Sequence, residues 1–406
     1  MKKKNGWFLS CLAVGLMVLS ACSGGGTTQS GGSSSPAPEG EEMEILKTEA
    51  REEVLNIGYT GPLSGPAAFY GENTVAGVRM ATEEINDSGG FEVNGTTYKI
   101  NLVTLDDMYL PNEAGTNARR LVQEHNTSVV FVPHSGGVFA TQVFNEQDNF
   151  LIAAYTSEPD ILTQGNELTL RIPPAYDQYP EPFVTYQQER FGKRLALLPT
   201  ATQYGKDWTE ELVPVWKEHG GEVVYDGEVD FGKDTDFFPI VTNALNQNPD
   251  VIFVGGPSEP TALLMKAARD LGFEGGFMVM DQAKFEEMDS IVSLEEIEGA
   301  IGMLPIRDSN AAGAASFIEK FEGEYGRVPT AESAFNYQAL YVIVEAMKLA
   351  GTVDDPNAIM AQMDAGVKAL PEDKLVWHLT GVENNGFDWV ASIAAIENGE
   401  IMHVED

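Results

Sequence analysis

Residues 54–86 read VLNIGYTGPLSGPAAFYGENTVAGVRMATEEIN. Val54 to Tyr59 has the short apolar pattern of a strand. A turn rich in Gly and Pro follows. From Gly71 to Asn86, Val75, Val78, Thr82 and Ile85 fall on one helical face. Strand, tight turn and helix make the first half of a βαβ unit, and the rhythm continues downstream. Ile100 to Leu105 reads as a strand, Asn112 to His125 as a helix, Val129 to Val132 as a buried strand, Val138 to Asp148 as a helix and Phe150 to Ala154 as extended chain. After Pro173-Pro174 come a helix near Tyr179 to Phe191, a strand at Leu195 to Leu198, a helix from Lys206 to His219 and a strand at Val223 to Val229. The helix Asp236 to Gln247, strand Val251 to Val254, helix Ala262 to Leu271 and strand Phe277 to Met280 close the series. Such alternation predicts an α/β fold of parallel sheets covered by helices on both faces. About nine or ten strands with a double-proline break in the middle predict two domains. The tail from Asp388 to Val404 differs and predicts a hairpin turning at Glu397-Asn398-Gly399.

Upstream of residue 54 the composition changes. Lys2, Lys3 and Lys4 precede an apolar run from Trp7 to Leu19, which is shorter than the ~20 residues a bilayer span needs and reads as a secretory signal. Residues 1–21 end in Leu19-Ser20-Ala21, followed by Cys22. This resembles the lipobox of bacterial lipoproteins, which implies cleavage before Cys22, acylation of Cys22 and attachment to a membrane. Ser23 to Pro38 is almost all Gly, Ser, Thr and Pro, so residues 22–53 are expected to be a flexible linker. Roughly 30 residues reach about 100 Å when stretched. The two cysteines, Cys11 and Cys22, both precede residue 54. The body downstream therefore has no disulfide, no thiol nucleophile and no thiolate metal site.

The formal net charge is −37 and the three lysines of the leader are lost on processing, so the mature chain is more acidic still. Such a surface repels nucleic acid and favours solubility.

Several short stretches, in order along the body, carry a resemblance. They are Gly61-Pro62-Leu63-Ser64-Gly65 with Tyr70-Gly71, Glu83-Glu84-Ile85-Asn86 with Gly89-Gly90, and Asp106-Asp107. Thr163-Gln164-Gly165, Gln203-Tyr204-Gly205-Lys206, Asn248-Pro249-Asp250 with Gly255-Gly256, and Gly272-Phe273 before Asp281 continue the series. Together they resemble the branched-chain amino-acid type of ABC-importer substrate-binding protein, within the type I periplasmic binding proteins. The resemblance implies two Rossmann-like lobes joined by a three-strand hinge. Lobe 1 would hold residues 54–175 and 303–376, and lobe 2 residues 176–302 and 377–406. It also implies an amino-acid-like ligand, a branched-chain amino acid first among them, taken up between the lobes and delivered to an ABC importer permease. Relatives that take amides, urea or aromatic acids, and sensory systems that use the same fold, are the alternatives. No cofactor and no metal is implied, and the chain is expected to act as a monomer.

A zwitterion in such a cleft needs donors for its carboxylate and acceptors for its ammonium. Ligands in open α/β sheets lie at the carboxyl ends of strands, and helix N-termini favour anions. Ser135 and Gly136 follow the strand 129–132 and open a helix, so they are candidates for the carboxylate; Ser135 also suits a simple helix cap. His134 beside them reads as a loop residue. Tyr155, Thr156 and Ser157 end the next strand, with Thr156 and Ser157 competing for one role by resemblance. Asp281, just past the strand 277–280, matches the family's acidic partner for the ligand ammonium. Tyr204 from the second lobe and Tyr70 from the first would cover the ligand, although Tyr70 also suits the core. Where the family often shows an aromatic after Gly255-Gly256, this chain has Pro257-Ser258, which leaves the ligand open. Asp106-Asp107 and Asp354-Asp355 read as loop or cap carboxylates. Five His without HExxH spacing argue against zinc, and the absence of a GxxxxGK[ST] loop argues against ATP hydrolysis by the chain itself.

Overall fold

The computed structural model describes residues 51–389 and 391–404. The expected leader, the expected acylation site Cys22 and all but the end of the expected linker lie outside these residues. The linker does not extend to Glu53. Arg51, Glu52 and Glu53 already pair with Thr96, Thr97 and Tyr98. Their side chains are exposed, so the pairing rests on the backbone and leaves no hydropathy signal.

The first sheet is built from β1 (Arg51–Gly61), β2 (Phe91–Val93), β3 (Thr96–Asp106), β4 (Val129–Val132), β5 (Leu151–Ala154) and β6 (Thr169–Arg171). The second uses β7 (Arg194–Pro199), β8 (Glu222–Asp226), β9 (Val251–Gly255), β10 (Gly276–Val279) and β11 (Ala300–Met303). Two hairpins finish the chain: β12 (Gly381–Glu383) with β13 (Gly386–Asp388), then β14 (Ile393–Glu397) with β15 (Glu400–Val404). The strand orders are β12-β13-β6-β5-β4-β1-β3-β2 and β15-β14-β11-β10-β9-β7-β8. Neighbours are parallel except in the hairpins β2/β3, β12/β13 and β14/β15 and at β11/β14. β4 and β9 are buried along their whole length, which is why they read as unbroken apolar runs.

The chain crosses between the sheets three times, after β6, after β11 and after β13. The last crossing departs from expectation. Residues 377–406 were expected in the second lobe, but β12 and β13 join the first sheet through Gly386 beside Arg171. Two strands of three residues carry too little apolar pattern to reveal their sheet. The final hairpin forms as expected, turning at Asn398 (φ 56°) and Gly399 (φ 73°), the positive-φ pair that a tight two-residue turn needs.

The helix from Ala68 to Asp87 buries Val75, Val78, Thr82 and Ile85 as its periodicity predicts. It packs against the helix Ala331–Ala350. The approach is close at Gly77, where an added Cβ would lie 2.0 Å from the Ser333 carbonyl oxygen. The expected helix 138–148 is two pieces, Ser135–Gln142 and Asn145–Asp148. The ring of Phe144 turns in to meet Phe150, with centroids 5.8 Å apart, and breaks the run.

Candidate functional site

The carboxyl ends of β1, β3, β4 and β5 face those of β7 and β10 across a narrow cavity. Of the expected site residues, Tyr70, Ser135, Tyr155, Thr156, Ser157, Tyr204 and Asp281 all line it. Gly136 does not; a Cβ there would sit 2.8 Å from Pro111 Cγ. Tyr109, His134, Gln282 and Lys284 line the cavity as well; sequence reasoning took His134 for a loop residue and did not single out the other three.

On the first-sheet side, His134 is a structural residue rather than a plain loop position. Its Nδ1 accepts the Gly137 N–H at 2.9 Å, capping the helix that starts at Ser135. That fixes the other nitrogen as donor, and Nε2 meets Asp107 Oδ2 at 3.0 Å. Because His134 makes the cap, Ser135 does not have to, and its hydroxyl makes no hydrogen bond among the described residues. His134 also cannot serve Ser135 as a base, since its acceptor nitrogen is already used by the Gly137 amide.

Asp106 and Asp107 shape the loop that brings in Tyr109. Met108 and Tyr109 both have positive φ, 54° and 63°, a conformation that costs about 1–2 kcal/mol per residue. Asp106 Oδ1 accepts the Met108 amide and Asp107 Oδ1 the Tyr109 amide, each at 2.9 Å. The loop reading of this acidic pair therefore holds. Tyr109 then lies 4.8 Å from the His134 ring and 6.3 Å, edge-on, from Tyr70. Tyr70 donates its hydroxyl to the Pro133 carbonyl at 2.6 Å, so it serves both the core and the cavity wall.

Thr156 and Ser157 do different work. Thr156 Oγ1 accepts the Glu158 amide at 3.4 Å. Ser157 Oγ reaches across to the Tyr204 hydroxyl at 2.9 Å. Tyr204 in turn donates to Asp281 Oδ1. A second donor to the same oxygen is Trp208 Nε1 at 2.9 Å. Tyr204 and Trp208 are four residues apart on the helix Gln203–Glu218 and share a face, a spacing visible in the sequence. Trp208 is held by stacking on Tyr176 at 5.4 Å. With Oδ1 doubly occupied, Oδ2 of Asp281 accepts no hydrogen bond among the described residues.

Burial raises the pKa of Tyr70, Tyr155 and Tyr204 well above the usual tyrosine value, and that of Tyr109 to about 12. All four hydroxyls therefore stay protonated and neutral near neutral pH.

Further contacts join the two sides. Gln282 Nε2 donates to the Tyr109 hydroxyl at 2.9 Å. Asn73 Nδ2 donates to Glu287. Lys284 Nζ lies 3.6 Å from Glu332 Oε1 and donates to the Asp281 carbonyl. Ser258, where the resemblance led one to expect an aromatic, accepts the Lys284 main-chain amide at 3.0 Å. The arrangement is a closed cleft that offers hydroxyls from one side and a carboxylate oxygen from the other.

Comparison with known proteins agrees with this geometry. A family model described as periplasmic binding protein matches residues 54–374. The Leu/Ile/Val-binding protein homolog 1 of Brucella suis is 26% identical over 313 residues, 76% of this chain and 82% of that protein. The leucine-, isoleucine-, valine-, threonine-, and alanine-binding protein of Pseudomonas aeruginosa is 26% identical over 326 residues, 80% of this chain and 85% of that protein. Among solved structures, a leucine-binding protein from Thermotoga maritima superposes with a TM-score of 0.73 at 22% identity, covering 86% of this chain and 98% of that one. With the family model spanning most of the chain and two parallel-dominated sheets facing a common cleft, this chain belongs to the periplasmic binding protein family.

Proposed function

We propose that the protein is an extracytoplasmic solute-binding lipoprotein, held to a membrane through Cys22, that captures an amino-acid-like ligand and hands it to an ABC importer permease. One observation carries the reading: Asp281 Oδ1 is saturated by Tyr204 and Trp208, which leaves Oδ2 for a cation inside a cleft too small for a large one. The ligand ammonium meets Oδ2. Its carboxylate meets the Ser135 hydroxyl on the opposite wall, while the Ser157 hydroxyl donates to Tyr204. Tyr70 and Tyr204 close over it. A charge-assisted bond in a dry cleft is stronger than in water, and the contacts form together only when the lobes meet, so the ligand favours closure. The protein binds and releases its solute without turnover, in keeping with a His134 whose acceptor nitrogen is spent.

Isothermal titration of the mature chain with α-amino acids, repeated on Asp281→Ala, tests this. Binding should weaken by a large factor, because the ammonium would be buried without its partner. Binding as tight as wild type, or binding confined to compounds without an ammonium, would sink the assignment. Capture of a sensor kinase in place of a permease from detergent would move the protein to a signalling role.

A further inference from the structure

Among the described residues, the cavity wall holds no aliphatic side chain other than the rings of Pro133 and Pro173. Apart from Pro133 and Pro173, every lining side chain carries a polar group. Two of these groups are more than nine-tenths buried and only partly bonded. Gln282 is 6% exposed. It gives its Nε2 to Tyr109, while its Oε1 is buried with no partner. Lys284 is 2% exposed. Its ammonium donates to the Asp281 carbonyl, and the nearest carboxylate, Glu332, stands 3.6 Å away, beyond a good hydrogen bond. The Tyr155 hydroxyl makes no hydrogen bond among the described residues. Glu332 balances the charge of Lys284, so this wall lacks hydrogen-bond partners rather than a net charge.

We infer that, given the amino-acid reading above, the ligand's side chain ends in an uncharged hydrogen-bonding group, a hydroxyl or a carboxamide, received by Gln282, Lys284 and Tyr155. An aliphatic side chain closed into this cleft would leave those groups without water and without partners. Sites built to hydrogen-bond a ligand reject analogues that lack the group far more strongly than an apolar pocket rejects a missing methylene. An acidic or basic side chain would upset the balance between Lys284 and Glu332.

Isothermal titration of the mature chain against glutamine, asparagine and threonine, beside leucine, isoleucine and valine, tests the inference. The best of the first group should bind at least about tenfold more tightly than the best of the second. Aliphatic amino acids binding equally or more tightly would overturn the inference and leave the amino-acid reading standing. Binding of benzoate or urea with no α-amino acid would overturn both. In Gln282→Leu the preference for polar over aliphatic ligands should collapse towards parity, whereas an unchanged ratio would overturn the role given to Gln282. Tyr155→Phe removes one hydroxyl and keeps the ring, so it serves if the Gln282 variant fails to fold; its preference should also shrink, and an undiminished preference would count against the inference.

Discussion

Trp208 Nε1 donates to Asp281 Oδ1 at 2.9 Å, tying a fully buried indole of one helix to the carboxylate just past β10. A hydrogen bond to a charged group is worth about 1.5–3 kcal/mol. Trp208→Phe keeps an aromatic in the stack with Tyr176 but removes this donor. Ligand affinity is expected to fall by at least about tenfold, read by titration calorimetry, with the melting temperature followed in parallel to separate lost packing from lost orientation. An unchanged affinity would mean that Tyr204 alone holds Asp281.

The bond from Gln282 to the Tyr109 hydroxyl joins the two sides of the cleft. Tyr109→Phe removes it and keeps the ring. A loss of about 1 kcal/mol should move the open–closed balance about fivefold towards open. Small-angle X-ray scattering of the ligand-free variant should then give a larger radius of gyration than wild type, and added ligand should close the gap.

Stability should fall as the solution becomes alkaline. Burial, with Glu332 nearby, pushes Glu286 up to about 7 and raises Glu287 well above the usual carboxyl value. Lys284, Arg327 and Glu332 are the other charged groups facing them. Both carboxyls bind a proton more tightly folded than unfolded. Their contribution is complete below the unfolded value of 4.5; that of Glu286 is lost as pH rises through about 7, and that of Glu287 is also lost as pH rises. Melting temperature should therefore drop between about pH 5 and about pH 8, and Glu286→Gln should flatten that slope.

Glu84 acts in the opposite direction. Burial pushes its carboxyl up, but hydrogen bonds from Lys320, Lys374, Tyr337 and Tyr341 outweigh that and bring it down to about 2. Its contribution is present above 4.5 and is lost as pH falls through about 2. In Glu84→Gln the acid limb of the melting curve should be shallower than in wild type.

Gly77 lets two long helices touch. Gly77→Ala would force a methyl group against the Ser333 carbonyl, and overpacking of this kind costs about 1–3 kcal/mol. Urea unfolding should show that loss with an unchanged slope. A neutral result would mean that the helix Ala331–Ala350 can slide away.

The sequence by itself determined the local elements and the identity of most cleft residues. Period-2 and period-3.6 patterns and turn residues are short-range signals, so β4, β9 and the final hairpin were legible before any coordinates. Residues that follow strands are known once the strands are, which is how Ser135 came into view; the roles of Ser157, Tyr204 and Asp281 came from the family resemblance. Tertiary structure alone decided what those residues do. Nothing local says that His134, and not Ser135, caps its helix, because the choice depends on Asp107 arriving from another strand to hold the ring. Lys284 and Gln282 look like surface residues until the lobes close over them, since burial is a property of the assembled cleft. The short β12 and β13 could join either sheet by pattern, and only backbone hydrogen bonding to Arg171, more than two hundred residues upstream, assigned them to the first.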